Sequence, residues 1–152
     1  MLLEICRLTT GIVAIVVFGY IAWIDCKTME IPDRCHVILM ALAGLQIACG
    51  DMLPFGARGL GLLAMSLPMV CTNLVRQDSF GGGDIKMCGA TGFLLGAPQV
   101  IAGTMLALML AGLYGGMALL LKIKKPKDSF ALGPFLSFGF VAAMIRELLH
   151  AG

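Results

Sequence analysis

Two aspartates stand apart from the other acidic residues because each lies at the edge of an apolar segment. Asp25 follows the apolar residues 22–24, and Asp84 follows three glycines and precedes a long apolar stretch. Taken singly, Asp25 could mark a membrane surface and Asp84 could cap a helix after a glycine turn. Taken together, two carboxyl groups that share one proton provide a base and an acid, which is the machinery of aspartic proteolysis.

The distribution of charge predicts a membrane protein around these two residues. Of 152 residues, 59% are hydrophobic and 13% are charged, whereas soluble domains are about 25% charged. A helix crosses a bilayer with about 20 apolar residues, and the fourth apolar stretch is long enough for two, with a hairpin signal at 96–98. We therefore expect one all-α domain, residues 1–152, with six transmembrane helices. The stretches without Asp, Glu, Lys or Arg are 8–24, 35–50, 59–75, 87–121 and 129–145.

The positions of lysine and arginine predict the orientation of this bundle. If the loop after the first helix is cytoplasmic, eight basic residues lie inside and only Arg7, Arg58 and Arg146 lie outside, as the positive-inside rule requires. Both termini are then extracytoplasmic. Asp25 and Asp84, three crossings apart, both reach the cytoplasmic face. The net charge of +2 gives no indication of nucleic-acid binding.

No other group of residues offers a rival reactive centre. The cysteines form no C-x-x-C pair, so we interpret them as small buried hydrophobic residues and expect no metal site. The two histidines, His36 and His150, fall at opposite faces in this topology. Glu4, Asp51 and Glu147 are interpreted as loop or terminal charges. Glycines at 92 and 96, and at 112 and 116, have the spacing that lets membrane helices approach closely.

Three segments around the two aspartates form a pattern that covers nearly the whole chain. They read DCKTMEIPD at 25–33, GGGDIK at 81–86 and GPFLSFG at 133–139. In order, spacing and place at helix ends, they resemble the motifs of the type IV prepilin peptidases, the G-x-G-D aspartyl peptidases of bacterial and archaeal membranes. The Tyr-Asp and Pro-Ala-Leu signatures of presenilin-like G-x-G-D proteases are absent.

The resemblance implies that Asp25 and Asp84 are the catalytic pair. It implies an endopeptidase of the cell (inner) membrane that removes the short basic leader of prepilins or pseudopilins at the cytoplasmic face, with no metal or organic cofactor. Three glycines permit close approach of an extended substrate, whereas Lys27 and Lys86 could also be snorkelling surface lysines. The residues that we expect to contact substrate are Lys27, Pro32, Gly81, Gly82, Gly83, Lys86 and Pro134.

Two departures and two alternatives accompany this interpretation. Long family members carry an N-terminal cytoplasmic insertion with paired C-x-x-C motifs and methylate the new N-terminus. This chain resembles the compact members of the family, which lack that insertion, so we do not expect N-methyltransferase activity. Asp33 stands where Asn is frequent in the family. The alternatives are a small proton or cation carrier, which would place its carboxylates nearer mid-membrane, and a non-catalytic relative that acts as a secretion or pilus assembly subunit.

Overall fold

The computed structural model describes residues 2–76, 79–121 and 131–150, and within them the chain is all α-helical. The predicted all-α class and the division into six helices are confirmed in this part of the chain, whereas six membrane crossings stay a prediction. The predicted cytoplasmic segment 122–128 and the loop residue Asp78 lie outside it. The helices are α1 (Leu2–Thr28), α2 (Asp33–Ala48), α3 (Phe55–Val75), α4 (Gly82–Leu95), α5 (Ala97–Leu120) and α6 (Gly133–His150).

The predicted hairpin between the fourth and fifth helices is present. Gly96 ends α4 and precedes α5 with a φ of 89°, a conformation that residues with a side chain rarely adopt. Pro98 lies in the first turn of α5, where its missing N–H costs no helical hydrogen bond. The break in the long apolar stretch therefore follows from these two residues.

Three helices are long and apolar enough to cross a membrane. They are Leu3–Thr28 in α1, Phe55–Val75 in α3 and Ala97–Leu120 in α5. Their outward sides are apolar: Val16, Leu60 and Met109 are each about two-thirds exposed or more, as contact with lipid requires. The 16 residues of α2 and the 14 of α4 give shorter helices, of about 24 and 21 Å at 1.5 Å per residue.

The short helix α4 is the centre of the bundle. It contacts α2, α3, α5 and α6, and eight of its residues are buried. A Cβ atom on Gly61 of α3 would overlap the backbone of Gly92 in α4, so glycine at both positions allows this close approach. The expectation of close packing is thus confirmed at Gly92. It is wrong for Gly112 and Gly116, because a Cβ at either would meet no atom of the described residues within 4 Å.

Charged side chains at one end of the bundle form a cluster that we call the arginine end: Arg7, Asp51, Arg58 and Glu147. The Arg58 side chain is fully buried and pairs with Asp51, and it donates hydrogen bonds of 3.1 and 3.3 Å to two carbonyls at the C-terminus of α4. Arg7 Nε lies 3.3 Å from Asp51 Oδ1. Asp51, with 3% of its side chain exposed, is therefore part of a buried ionic contact, and its interpretation as a simple loop charge is wrong.

The opposite end carries both candidate aspartates, and we call it the aspartate end: Asp25, Asp84, the glycines 81–83 and Gly133. The α1 helix runs from the arginine end to the aspartate end, and α4 runs back from Asp84 to the carbonyls that Arg58 contacts. Gly133, which contacts Asp25, begins α6, and Glu147 near its other end lies 3.8 Å from Arg7. The helices thus lie along one common direction and link two chemically different ends.

Candidate active site

Asp25 lies in the last turn of α1 and is almost entirely buried, with 4% of its surface exposed. The C-terminus of α1 is unfavourable for a carboxylate because the helix dipole is negative there. The start of α6 offsets this effect: the backbone N–H of Gly133 donates a 2.8 Å hydrogen bond to Asp25 Oδ2. One carboxylate oxygen is thus fixed by a contact across 108 residues of sequence.

The turn after Asp25 has an unusual backbone conformation. Met29 has a φ of 54°, and its N–H donates a 2.9 Å hydrogen bond to the carbonyl oxygen of Asp25, which is the left-handed way to end a helix. Glycine usually fills this position, and another residue costs about 1–2 kcal/mol there. The Thr28 hydroxyl donates to the carbonyl of Ile24 and helps to fix the turn. The local strain therefore lies directly beside Asp25.

Asp84 lies in the first turn of α4, before the charge-free stretch that begins at residue 87. Its carboxylate accepts a hydrogen bond from the backbone of Gly81, which is one half of a capping box. Burial, and secondly the charge of Asp25, raise the pKa of Asp84 to about 6, against the opposing effect of the Gly81 hydrogen bond. The predicted capping role and a reactive role are therefore compatible in this residue.

Both aspartates line one cavity of about 300 Å³. The helices α1 and α4 do not pack directly against each other, so the cavity separates the elements that carry the two carboxyl groups. A water molecule occupies about 30 Å³ in the liquid, which leaves room for a water beside part of a peptide. The lining residues are Asp25, Met29, Glu30, Ile31, Asp33, Gly81, Gly82, Gly83, Asp84 and Lys86.

The glycine loop is held in place by Asn73, a residue that sequence reasoning missed. Its side-chain amide donates a 2.8 Å hydrogen bond to the carbonyl of Phe80, and its Oδ1 accepts a 2.9 Å bond from the Phe80 N–H. This two-way contact ties the residue before Gly81 to the end of α3. In the sequence, the only indication of this role is that an asparagine lies in the last turn of an apolar helix.

The remaining predicted contact residues are divided between the cavity and its surroundings. Lys86 lines the cavity, and its Nζ lies 2.7 Å from Asp33 Oδ1. Both side chains are exposed. The hydrogen bond from Lys86 lowers the pKa of Asp33. Lys27 places its Nζ 4.0 Å from the ring centre of Trp23 and does not line the cavity. Pro32 and Pro134 are also not among the lining residues; Pro32 precedes α2 and Pro134 follows Gly133.

Metal ligation finds no support among the residues that the structure describes. No three of their histidine, cysteine, aspartate and glutamate side chains are grouped so that they could hold an ion. His36 is buried in α2. The aspartate end thus holds two carboxyl groups on one cavity, with the glycine loop beside them.

Comparison with known proteins connects this geometry to a family. Residues 12–116 match the model of the type IV leader peptidase family. The chain belongs to this family. The matched range contains Asp25 and Asp84 and ends before the 133–139 segment. The apolar helices and the family together make the chain a membrane protein of a peptidase family.

A curated relative has a related description. The prepilin leader peptidase/N-methyltransferase of Bacillus subtilis (strain 168) is 24% identical over 139 residues, which cover 91% of this chain and 56% of the relative. The chain thus spans little more than half the length of that protein. No solved structure matches the chain.

Proposed function

We propose that this chain is an aspartyl endopeptidase that removes the short basic leader of type IV prepilins or pseudopilins. The observation that carries the proposal is the common cavity of Asp25 and Asp84 beside the glycine loop. Within the described part of the chain, neither carboxyl group has an ion-pair partner, so neither is neutralised by a nearby cation. Family membership supports the peptidase activity.

The mechanism uses the two carboxyl groups in different protonation states. Burial, and secondly the charge of Asp25, raise the pKa of Asp84 to about 6, which favours one shared proton in the pair, and we assign that proton to Asp84. Ionised Asp25 takes a proton from a water in the cavity, and that water attacks the carbonyl carbon of the scissile peptide bond. As the water attacks, Asp84 donates its proton to the carbonyl oxygen. The proton held by Asp25 then passes to the leaving nitrogen as the C–N bond breaks, and Asp84 takes back a proton from one hydroxyl of the tetrahedral intermediate as the new carboxyl group forms. The steps thus use only water and two carboxyl groups, and both aspartates return to their starting states.

The substrate-binding part of the proposal rests on the charge and shape of the cavity. Four carboxyl groups line it, with Lys86 as the single basic lining residue, which favours a positively charged leader. We place an extended stretch of the substrate along Gly81, Gly82 and Gly83, where no side chain prevents close approach of a backbone. Lys86 contacts the substrate from the same wall, and Lys27, Pro32 and Pro134 border the path to the cavity.

The proposed topology has six crossings in a single domain, with the aspartate end in the cytoplasm of an inner membrane and both termini outside. The shared direction of the helices supports it, because the chain returns repeatedly between the same two ends. The shorter α4 has other helices around it on most sides, so it needs less lipid-facing surface than α1, α3 or α5. The distribution of lysine and arginine supports the orientation.

Co-expression with an epitope-tagged type IV prepilin tests this function. Leader removal, followed as a mobility shift on a gel, is expected with the wild type and is expected to be lost in Asp25→Asn and Asp84→Asn. Both variants should still accumulate in the membrane. Glu147→Gln applies the same chemical change at the arginine end and is expected to retain processing.

The same experiment separates the alternatives. Normal processing by either asparagine variant would contradict the two-carboxylate mechanism. A wild type that accumulates but removes no leader would favour the non-catalytic assembly subunit. Proton or cation flux into vesicles that depends on both aspartates, without any cleavage, would favour a carrier.

A further inference from the structure

Cys6 and Cys49 bring two thiols together at the arginine end. Cys6 lies in the second turn of α1 and Cys49 directly follows α2, and their sulfur atoms are 2.6 Å apart. Non-bonded heavy atoms keep about 3.5–4.0 Å between them, whereas a disulfide bond measures about 2.05 Å. Two separate helices therefore hold this pair closer than ordinary packing does.

The pair is distinct from the aspartate end and from the other cysteines. Cys35 and Cys88 are buried, as small hydrophobic residues are expected to be, and Cys26 and Cys71 are exposed. Cys6 is buried, but Cys49 is partly exposed at the end of its helix, so a reagent outside the bundle has access to its thiol. The interpretation of the cysteines as small buried residues is thus confirmed for Cys6, Cys35 and Cys88 and wrong for Cys26 and Cys71, which are exposed.

The proposed orientation places this end outside the cytoplasm, where disulfide bonds form and persist. We propose that Cys6 and Cys49 form a disulfide bond in the membrane-inserted protein. This inference rests on the orientation given under the proposed function but not on the peptidase activity. The bond would join α1 to the end of α2, beside the Arg7–Asp51 ion pair, because Arg7 follows Cys6 and Asp51 lies two residues after Cys49.

Formation of the bond requires an oxidant, and an extracytoplasmic dithiol protein in its disulfide form is the chemical class that fits. The Cys49 thiolate attacks one sulfur of that disulfide, which releases one thiol of the oxidant and leaves a mixed disulfide. The Cys6 thiolate then attacks the Cys49 sulfur and releases the second thiol. The two protons and two electrons of the cysteine pair end on the reduced oxidant.

Thiol trapping in intact cells tests the bond. The cells are quenched with acid and the protein is denatured in N-ethylmaleimide, so that every free thiol is blocked, including those of the buried Cys35 and Cys88. The protein is then reduced and treated with a maleimide-polyethylene glycol that retards the band once per thiol. The wild type is expected to gain two labels. Cys6→Ser and Cys49→Ser are each expected to gain none, whereas Cys71→Ser, which removes an exposed cysteine elsewhere, should still gain two.

Mass spectrometry of the unreduced protein identifies the partners, and the expected product is a cross-linked peptide pair that contains Cys6 and Cys49. No released thiol in the wild type, or a bond between other cysteines, would overturn the proposal. Leader removal is measured in the same cells. A wild type that cleaves the leader but releases no thiol refutes the disulfide alone, and one with the disulfide but without cleavage refutes the peptidase alone.

Discussion

The two ends of this bundle both contain buried carboxyl groups, but they use them differently. At the arginine end, Asp51 is enclosed by the guanidinium groups of Arg7 and Arg58. At the aspartate end, Asp25 and Asp84 share a cavity, and their hydrogen bonds come from backbone groups of Gly133 and Gly81.

The difference shows what distinguishes a structural acid from a reactive one in a membrane bundle. A carboxylate that is enclosed by two guanidinium groups has its charge compensated, and it joins the helices that carry its partners. A carboxyl group held by backbone donors keeps its position without losing its ability to titrate. The geometry around Asp25 and Asp84 is therefore suited to proton transfer, and the geometry around Asp51 is suited to stability.

The largest expected effect is a loss of stability at the arginine end. Arg58→Met removes the buried partner of Asp51 and the two hydrogen bonds to the end of α4. We expect the free energy of unfolding to fall by about 3 kcal/mol, because Asp51 keeps only the partly exposed Arg7 as a partner and the end of α4 loses its buried donor. The measurement is reversible unfolding in mixed detergent micelles.

Arg146→Met, which changes an exposed arginine, is the control and should stay within about 0.5 kcal/mol of the wild type. Equal stability of the two variants would contradict the structural role of Arg58.

A smaller effect, on rate rather than stability, is expected at the aspartate end. In Gly133→Ala the new Cβ would lie 2.6 Å from Asp25 Oδ2, so the carboxylate must move. Misplacing a reacting group by about 1 Å costs up to 10²-fold in rate, and we expect initial rates of leader removal to fall about 10- to 100-fold. Gly112→Ala introduces the same atom where no described residue lies within 4 Å. If both variants cleave at the wild-type rate, the Gly133 contact does not position Asp25 for catalysis.

A third expected effect is a gradual dependence on pH that comes from Asp84. Because its pKa is raised from 3.8 to about 6, the proton that it donates is lost above that pH. We expect kcat/KM to fall as pH rises from about 6 to 8, by up to about tenfold per unit. The same shift favours the folded protein below pH 3.8, and this stabilisation is lost as pH rises through about 6. Asp84→Asn should remove this pH dependence of the free energy of unfolding. If the free energy of unfolding of this variant changes with pH as it does in the wild type, the raised pKa is contradicted.

Several features of the fold could be predicted because their causes are local in the sequence. The charge-free stretches predicted the helices, and Gly96 with Pro98 predicted the break between α4 and α5. The positions of Asp25 and Asp84 at helix ends followed from the boundaries of the apolar stretches. The motifs around them predicted the family before any contact was known.

The contacts that distinguish the two ends could not be predicted in this way. The burial of Arg58 depends on how α3 packs against α4, because its side chain contacts the carbonyls at the end of α4. The pairing of Cys6 with Cys49 depends on how two helix ends meet. These are relations between distant parts of the chain, and no spacing pattern within one helix encodes them.

The sequence alone thus determined which residues could react: two acids at helix ends, with a glycine loop before the second. Apolar periodicity, glycine and charge act over a few residues, so their effects are readable along the chain. The tertiary structure alone decided which acids pair with arginines and which face a cavity. Asp25 accepts the N–H of Gly133 while Asp51 is enclosed by two arginines, because the partners of a buried carboxyl group are set by the packing of distant helices.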